Sequence, residues 1–355
     1  MKARGAFIDF ILKKWLAIAS GVGFTLTSLY IGHVPKYSTQ EIEVLFILFT
    51  LFVAVKGLHQ SGLISKAARA IEKGTVVPLK LVVTTFFLSM LVTNDIALII
   101  MVPLTLSINI RRKDLLVILE ALAANAGSAL TPIGNPQNLF LYWFYQLHPL
   151  AFIETIAPFS LTFLVILIAA SLLIKAKSGL RRDPATQEVN NKAYIYSGLL
   201  FVVLLTVFHV LPVWAALLVV FFALLFDRKS LGVDYSLLLS FFFFFGLAEN
   251  MKMLLAPEIS RSGHVFLFSA LLSQFISNVP AALLFAKFTN NWSALLWGTN
   301  AGGFGSLFGS LANLIAYKVY LAHEGTENAA RFTLKFIILG YAAFFISMGL
   351  YFSLH

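Results

Sequence analysis

The chain has 355 residues, of which 59% are hydrophobic and 12% charged, with a mean hydropathy of +0.87; soluble domains sit near ~45–50% apolar and ~25% charged, so a water-soluble fold is excluded and a polytopic membrane protein is required. The net charge of +10 does not point to nucleic acid, because the basic residues lie in short loops between apolar runs and form no basic face. No cysteine is present, which excludes a disulfide framework, a thiolate metal site and thiol chemistry.

Taken in order, residues 1–14 hold a short apolar run ending in Lys13-Lys14 without a small-residue cleavage pattern, and are read as a lead-in lying on the inner surface. A first span follows over 15–31, closing an N-terminal segment 1–41. A second span, 42–58, carries Gly57 and leads into a basic stretch with Lys66, Arg69 and Lys73, expected as an interfacial helix. The apolar block 76–110 is interrupted by Thr93-Asn94-Asp95 and has basic residues at both ends. Its arms fall short of the ~20 residues a span needs, so a re-entrant hairpin is predicted, its tip facing protein or a wet cavity because hydrocarbon cannot satisfy the exposed backbone. Segment 115–145 is too long for one straight helix and holds Pro132 and Pro136, which predicts two half-helices joined by an unwound loop. A span over 151–174 completes a first repeat, 42–174.

Residues 175–192 form the most polar stretch, a cytoplasmic linker. A connecting pair of spans, 193–209 and 212–226, fills 193–234. The pattern then returns as a second repeat, 235–355: a span over 235–247 whose Gly246 aligns with Gly57, a hairpin 264–290 with Ser277-Asn278-Val279 at its tip, a broken helix 292–321, and a last span 332–352. Laid side by side without a gap, the two broken segments pair Asn125 with Asn300, Gly127 with Gly302, Thr131 with Ser306, Gly134 with Gly309 and Asn138 with Asn313.

Charge orients the chain. With a cytoplasmic N-terminus, every Lys and Arg except Lys36, Lys252, Arg261 and Lys287 falls inside or at the inner edge. The expected fold is therefore all-α and polytopic, with about nine spans plus two hairpins in a cell (inner or plasma) membrane and the C-terminus outside. An odd number of crossings separates the starts of the two copies, so the repeats are inverted, as in secondary transporters.

Half-helix N-termini at mid-depth suit an anion and half-helix C-termini a cation. The amides of Asn94, Asn125, Asn278 and Asn300, the hydroxyls of Thr93, Thr131, Ser277 and Ser306, and the backbone at Gly127 and Gly302 are the candidate substrate-binding groups. Asp95 is the acid at a tip; a carboxylate at mid-depth must face a cavity and bind a cation or a proton, or else cap the second hairpin arm. Asp95, Asn94, Asn135 and Asn138 form the candidate coupling-ion position, with Asn138 and Asn313 readable equally as loop-to-helix caps. Gly305 and Gly309 are expected in unwound backbone, Lys56 and Lys287 to snorkel, and Glu120 and Glu154 to pair with loop cations. No cofactor and no metal are expected beyond a coupling sodium ion or proton. The expected partners are a small-ion substrate and the bilayer, with a homodimer left open and no nucleic acid.

The run Thr93-Asn94-Asp95-Ile96-Ala97-Leu98-Ile99-Ile100-Met101-Val102-Pro103 resembles the hairpin signature of the ion transporter superfamily of arsenite permeases, NhaD-type sodium/proton antiporters and divalent anion/sodium symporters. Ser277-Asn278-Val279-Pro280-Ala281-Ala282-Leu283-Leu284 resembles its second copy. An Asn-Asp pair in the first motif and an Asn followed by Pro in the second are similar to the arsenite-permease-like group. The symporter branch carries Ser-Asn-Thr at both tips, which this chain lacks. The resemblance implies a secondary transporter of a small inorganic or organic anion working by an elevator-like alternating-access mechanism. An antiporter is the alternative, then an uncoupled channel. An enzyme is not expected, since no metalloprotease or paired-aspartate motif is present.

Overall fold

Breakers in apolar sequence cut this chain into short helices where a simple membrane bundle would have long ones. The computed structural model describes residues 2–69, 76–108, 110, 112–174, 189–259, 264–323 and 328–355, with side chains left out for 2–13, 69 and 255–259. Helix α1 (Lys2–Ile31) is followed by α2 (Thr39–Gln60) and the short α3 (Leu63–Arg69). The lead-in and first span are one unbroken helix, since nothing near Lys14-Trp15 breaks it; at ~1.5 Å per residue it is longer than the ~30 Å hydrocarbon core. Ser38 starts α2 with a reciprocal cap: its hydroxyl accepts from the Glu41 amide at 3.3 Å and its own amide donates to Glu41 Oε2 at 2.7 Å.

The first hairpin is α4 (Val77–Val92) and α5 (Asn94–Ser107), turning at Thr93. The first broken helix is α6 (Lys113–Ala129) and α7 (Pro136–Phe144), and α8 (Pro149–Leu172) follows. Then come α9 (Lys192–Val207), a 3-10 turn Val213–Ala216, and α10 (Leu217–Phe226). The second copy is α11 (Tyr235–Ile259), a hairpin of α12 (Val265–Ile276) and α13 (Asn278–Ala286), a broken helix of α14 (Trp292–Gly302) and α15 (Leu311–Leu321), and α16 (Ala329–Leu354).

The broken helices form the centre. Every residue of α6 from Leu116 to Ala129 and of α14 from Ala294 to Gly302 is buried. The first hairpin arms pack on them, α4 on α6 and α12 on α14. Small residues make that approach close: a Cβ at Gly127 would stand 2.1 Å from the Phe86 carbonyl oxygen, and one at Gly302 2.4 Å from Ser273 Cβ. Peripheral helices turn large apolar side chains outward, including Leu161 and Val165 on α8, Phe201 on α9, Phe221 on α10 and Phe345 on α16. Such a surface is stable only against lipid. Among the described residues, α2, α8, α11 and α16 are long and apolar enough to cross a membrane by themselves, whereas the hairpin arms and half-helices are shorter. The protein is an all-helical, multi-pass membrane protein.

Candidate functional site

Each hairpin turns on one residue in the left-handed region: Thr93 has φ 80 and Ser277 φ 77, with ψ 148 and 156. Neither is glycine, so the backbone at both tips carries strain that the surroundings must hold. They do so identically. The amide of Asn94 donates to the Gly134 carbonyl at 3.0 Å, and that of Asn278 to the Gly309 carbonyl at 3.0 Å. Each tip is thereby docked on the unwound loop of its own broken helix. The loop hydroxyls return the contact: Thr131 Oγ1 donates to the Met90 carbonyl at 2.7 Å and Ser306 Oγ to the Gln274 carbonyl at 2.8 Å, each four residues before its tip asparagine.

The two copies then cross over. Asn125 on α6 donates to Asn313 Oδ1 on α15 at 2.8 Å, and Asn300 on α14 donates to Asn138 Oδ1 on α7 at 2.9 Å. Each also donates back to its own helix, to the carbonyls of Ala121 and Leu296. Asn138 and Asn313 use their own N–H groups on carbonyls freed by unwinding: Ser128 and Ala129 in the first copy, Gly303 and Ser306 in the second. Asn94 joins through a 3.2 Å bond to Asn125 Oδ1, and Asn135 through one of 3.4 Å to Asn300 Oδ1. Carbonyls released by a break in a buried helix cost several kcal/mol each if unmet. Here, side-chain amides on the opposite half of the break meet them.

A cavity of about 390 Å³ lies beside this network. Both tips line it, through Asn94 and Asp95 on one side and Ser277 and Asn278 on the other, together with Gln137 at the start of α7 and Ser310 at the start of α15. Its wall continues along the first turns of α11, with Ser236 and Ser240, and includes the exposed residues Lys14, Asp234, Phe308, Leu311 and Lys318.

Of the predicted substrate groups, Asn94, Ser277 and Asn278 line the cavity; Thr93, also buried, forms the turn behind Asn94. Asn125 and Asn300 are in the cross-repeat network, Thr131 and Ser306 hold the tips, and Gly127 and Gly302 are helical close-packing positions against the hairpins. Within the predicted coupling set, Asp95 and Asn94 line the cavity, while Asn135 caps α7 and Asn138 ties the loop. Gly305 is in unwound backbone with φ +81, and Gly309 lies in the same loop.

Two side readings are corrected. Lys287 does not snorkel: it pairs with Glu41 at 2.7 Å and Glu249 at 3.0 Å, because α13 packs against α11 and its C-terminal end lies within reach of the first turn of α2. Glu120 does not meet a loop cation; it is fully buried and accepts from Thr105 on α5. Sequence reasoning passed over Gln137, Asp234, Ser236 and Ser240. For Gln137 a signal existed, an amide directly after the helix-starting Pro136; for the α11 residues none did, since only packing brings α11 to the tips.

Comparison with known proteins agrees with this architecture. The family model described as citrate transporter matches residues 6–297. An uncharacterized transporter of Methanocaldococcus jannaschii is 36% identical over 322 residues, covering 86% of this chain and 87% of the relative. The inner membrane protein YbiR of Escherichia coli is 33% identical over 331 residues, 86% of each chain. A silicon efflux transporter of Oryza sativa is 29% identical over 130 residues, 34% of this chain and 27% of the relative. With paired tips meeting in one cavity inside a helical membrane protein, and with a family match across most of its length, the chain belongs to the citrate transporter family and is a membrane transporter, not an enzyme.

Proposed function

We propose that this protein is a secondary active transporter of a small oxygen-rich anion, of the class of arsenite or small carboxylates, working by alternating access. The observation that carries the reading is the meeting of two strained hairpin tips, with their helix N-termini, in a single cavity. Helix N-termini and neutral amides hold an oxyanion through N–H donors without the tight grip of a lysine or arginine, which favours release. The family's citrate-transporter description and the naming of one relative for silicon efflux both fit small, oxygen-rich solutes.

In this reading Asp95 is the coupling position, with Asn94 beside it and with Asn135 and Asn138 bracing the loop behind it. A carboxylate in a cavity wall at membrane depth is expensive unless it binds a cation or a proton, which links its occupancy to a gradient. The positive-inside bias sets the N-terminus in the cytoplasm and the C-terminus outside, and a bacterial relative named as an inner membrane protein supports a cell membrane location. The exposed charged residues of the cavity wall, Lys14, Asp234 and Lys318, then lie toward the cytoplasmic side. On the far side the pairing of Lys287 with Glu41 and Glu249 holds the second hairpin against α2 and α11. Movement of hairpins and broken helices as one body against the remaining spans would open the cavity to each side in turn.

The test is uptake by the purified chain in proteoliposomes, with radiolabelled citrate, arsenite and silicic acid offered under an imposed proton or sodium gradient. Uphill accumulation of one of them is expected. Downhill flux alone would mark a channel. Sodium/proton exchange with no accumulation would favour the NhaD-type antiporter, the second reading, for which Asp95 in the cavity wall is the supporting observation.

A further inference from the structure

Ten asparagine and glutamine side chains are buried among the described residues. Eight donate to protein acceptors: Asn94, Asn125, Asn135, Asn138, Asn250, Gln274, Asn300 and Asn313. Asn278 and Gln137 do not, and both line the cavity. Asn278 stands at a tip. Gln137 is a different matter: it is 1% exposed, and its Nε2 is buried without an acceptor.

We propose that Gln137 is a solute-binding residue, which donates its side-chain amide to an oxygen of the transported solute and orients that solute between the two tips. The assignment rests on the transporter reading above and deepens it. Three observations carry it. A buried amide donor without an acceptor is costly, and of the unpartnered buried donors among the described residues Gln137 lines the cavity, where a solute oxygen can supply the acceptor, whereas Tyr142, Trp143 and Ser160 do not. Gln137 also sits in the first turn of α7, directly after Pro136, where the Asn138 and Leu139 amides are taken by Asn135 and the backbone N–H of Gln137 itself is the one left over beside its side-chain amide. Internal symmetry breaks here as well. The alignment pairs Gln137 with Ala312 and Asp95 with Val279, so two of the three polar first-copy positions in the cavity wall have apolar counterparts, while Asn94 keeps its amide in Asn278. The site is therefore polarised: the first copy supplies the acid and an extra donor, while the second supplies a tip free of acid. A solute with several acceptor oxygens, a carboxylate or oxyacid, fits this division; a bare cation does not use an amide donor.

The test uses the full chain in proteoliposomes with radiolabelled citrate and, separately, arsenite. Gln137→Ala is expected to raise KM for the accumulated probe about tenfold while the maximal rate stays within about threefold, the loss of one buried hydrogen bond. Gln137→Asn, which keeps the donor on a shorter stem, is expected to fall between. Because the chain has no cysteine, Gln137→Cys adds a readout that does not depend on rate: its modification by a methanethiosulfonate reagent is expected to be slowed by the transported probe. An unchanged KM in Gln137→Ala, a fall in maximal rate alone, or modification indifferent to the probe overturns the assignment and leaves the transporter reading standing. Failure of the unmutated chain to accumulate either probe overturns the substrate class, and the assignment with it.

Discussion

Asn125 donates to Asn313 across the centre of the molecule at 2.8 Å, and the two residues come from different copies of the repeat. The bond has a twin in Asn300 and Asn138 at 2.9 Å. The reciprocity follows the pairing of these asparagines in the sequence, and it fastens the two broken helices to each other.

Removing one member should expose its cost. Asn125→Ala leaves Asn313 Oδ1 and Asn94 Nδ2 without their partners in a buried setting, a loss of about 1–3 kcal/mol. Thermal unfolding in detergent should show a lowered Tm. A double-mutant cycle with Asn313→Ala should show coupling of about 0.5 kcal/mol or more, since the residues share one bond. Additive losses would mean that the bond contributes nothing of its own.

Asp95→Asn preserves shape and removes the charge. Gradient-driven uptake is expected to disappear while counterflow exchange of the solute is partly retained. Persistence of the same proton or sodium dependence in this variant would remove Asp95 from the coupling role.

Lys287→Ala strands Glu41, whose side chain is 2% exposed, beside Glu249. Breaking a buried pair from one side costs about 3–5 kcal/mol, so a clear fall in Tm is expected. Combining it with Glu41→Gln removes the stranded charge and should recover part of the loss. A pair of mere surface cations and anions would show neither effect.

Glycine substitutions test the packing of hairpin on broken helix. Gly127→Ala sets a methyl group 2.1 Å from a backbone oxygen that cannot step aside, at a cost of about 3 kcal/mol or more. Loss of the monodisperse peak in size-exclusion chromatography, or a large drop in Tm, is the expected outcome. Gly198→Ala on α9, with nothing within 4 Å, is the control. It should leave Tm unchanged or raise it, by up to ~1 kcal/mol of helix propensity.

Much of this was readable in the sequence. Apolar composition names the solvent, and Thr93-Asn94-Asp95 and Pro132 to Pro136 interrupt helices through their own local chemistry. The repeat was visible because Asn125, Gly127, Thr131, Gly134 and Asn138 each have a counterpart 175 residues on. The direction of each polar group was not readable. Thr131 and Ser306 carry hydroxyls suited to a solute, yet both are turned to a carbonyl of the neighbouring hairpin. Lys287 looked like an interfacial lysine until α2 and α11 brought two carboxylates to it.

By itself, then, the sequence determined the membrane setting and the points where helices break, because hydrophobicity, proline and glycine act over a few residues. Tertiary structure alone decided that α11 brings Asp234, Ser236 and Ser240 to the cavity and that Gln137 lacks the protein acceptor its buried neighbours find. The reason is physical: whether a side chain meets a solute or another part of the chain depends on which distant helix packs against it.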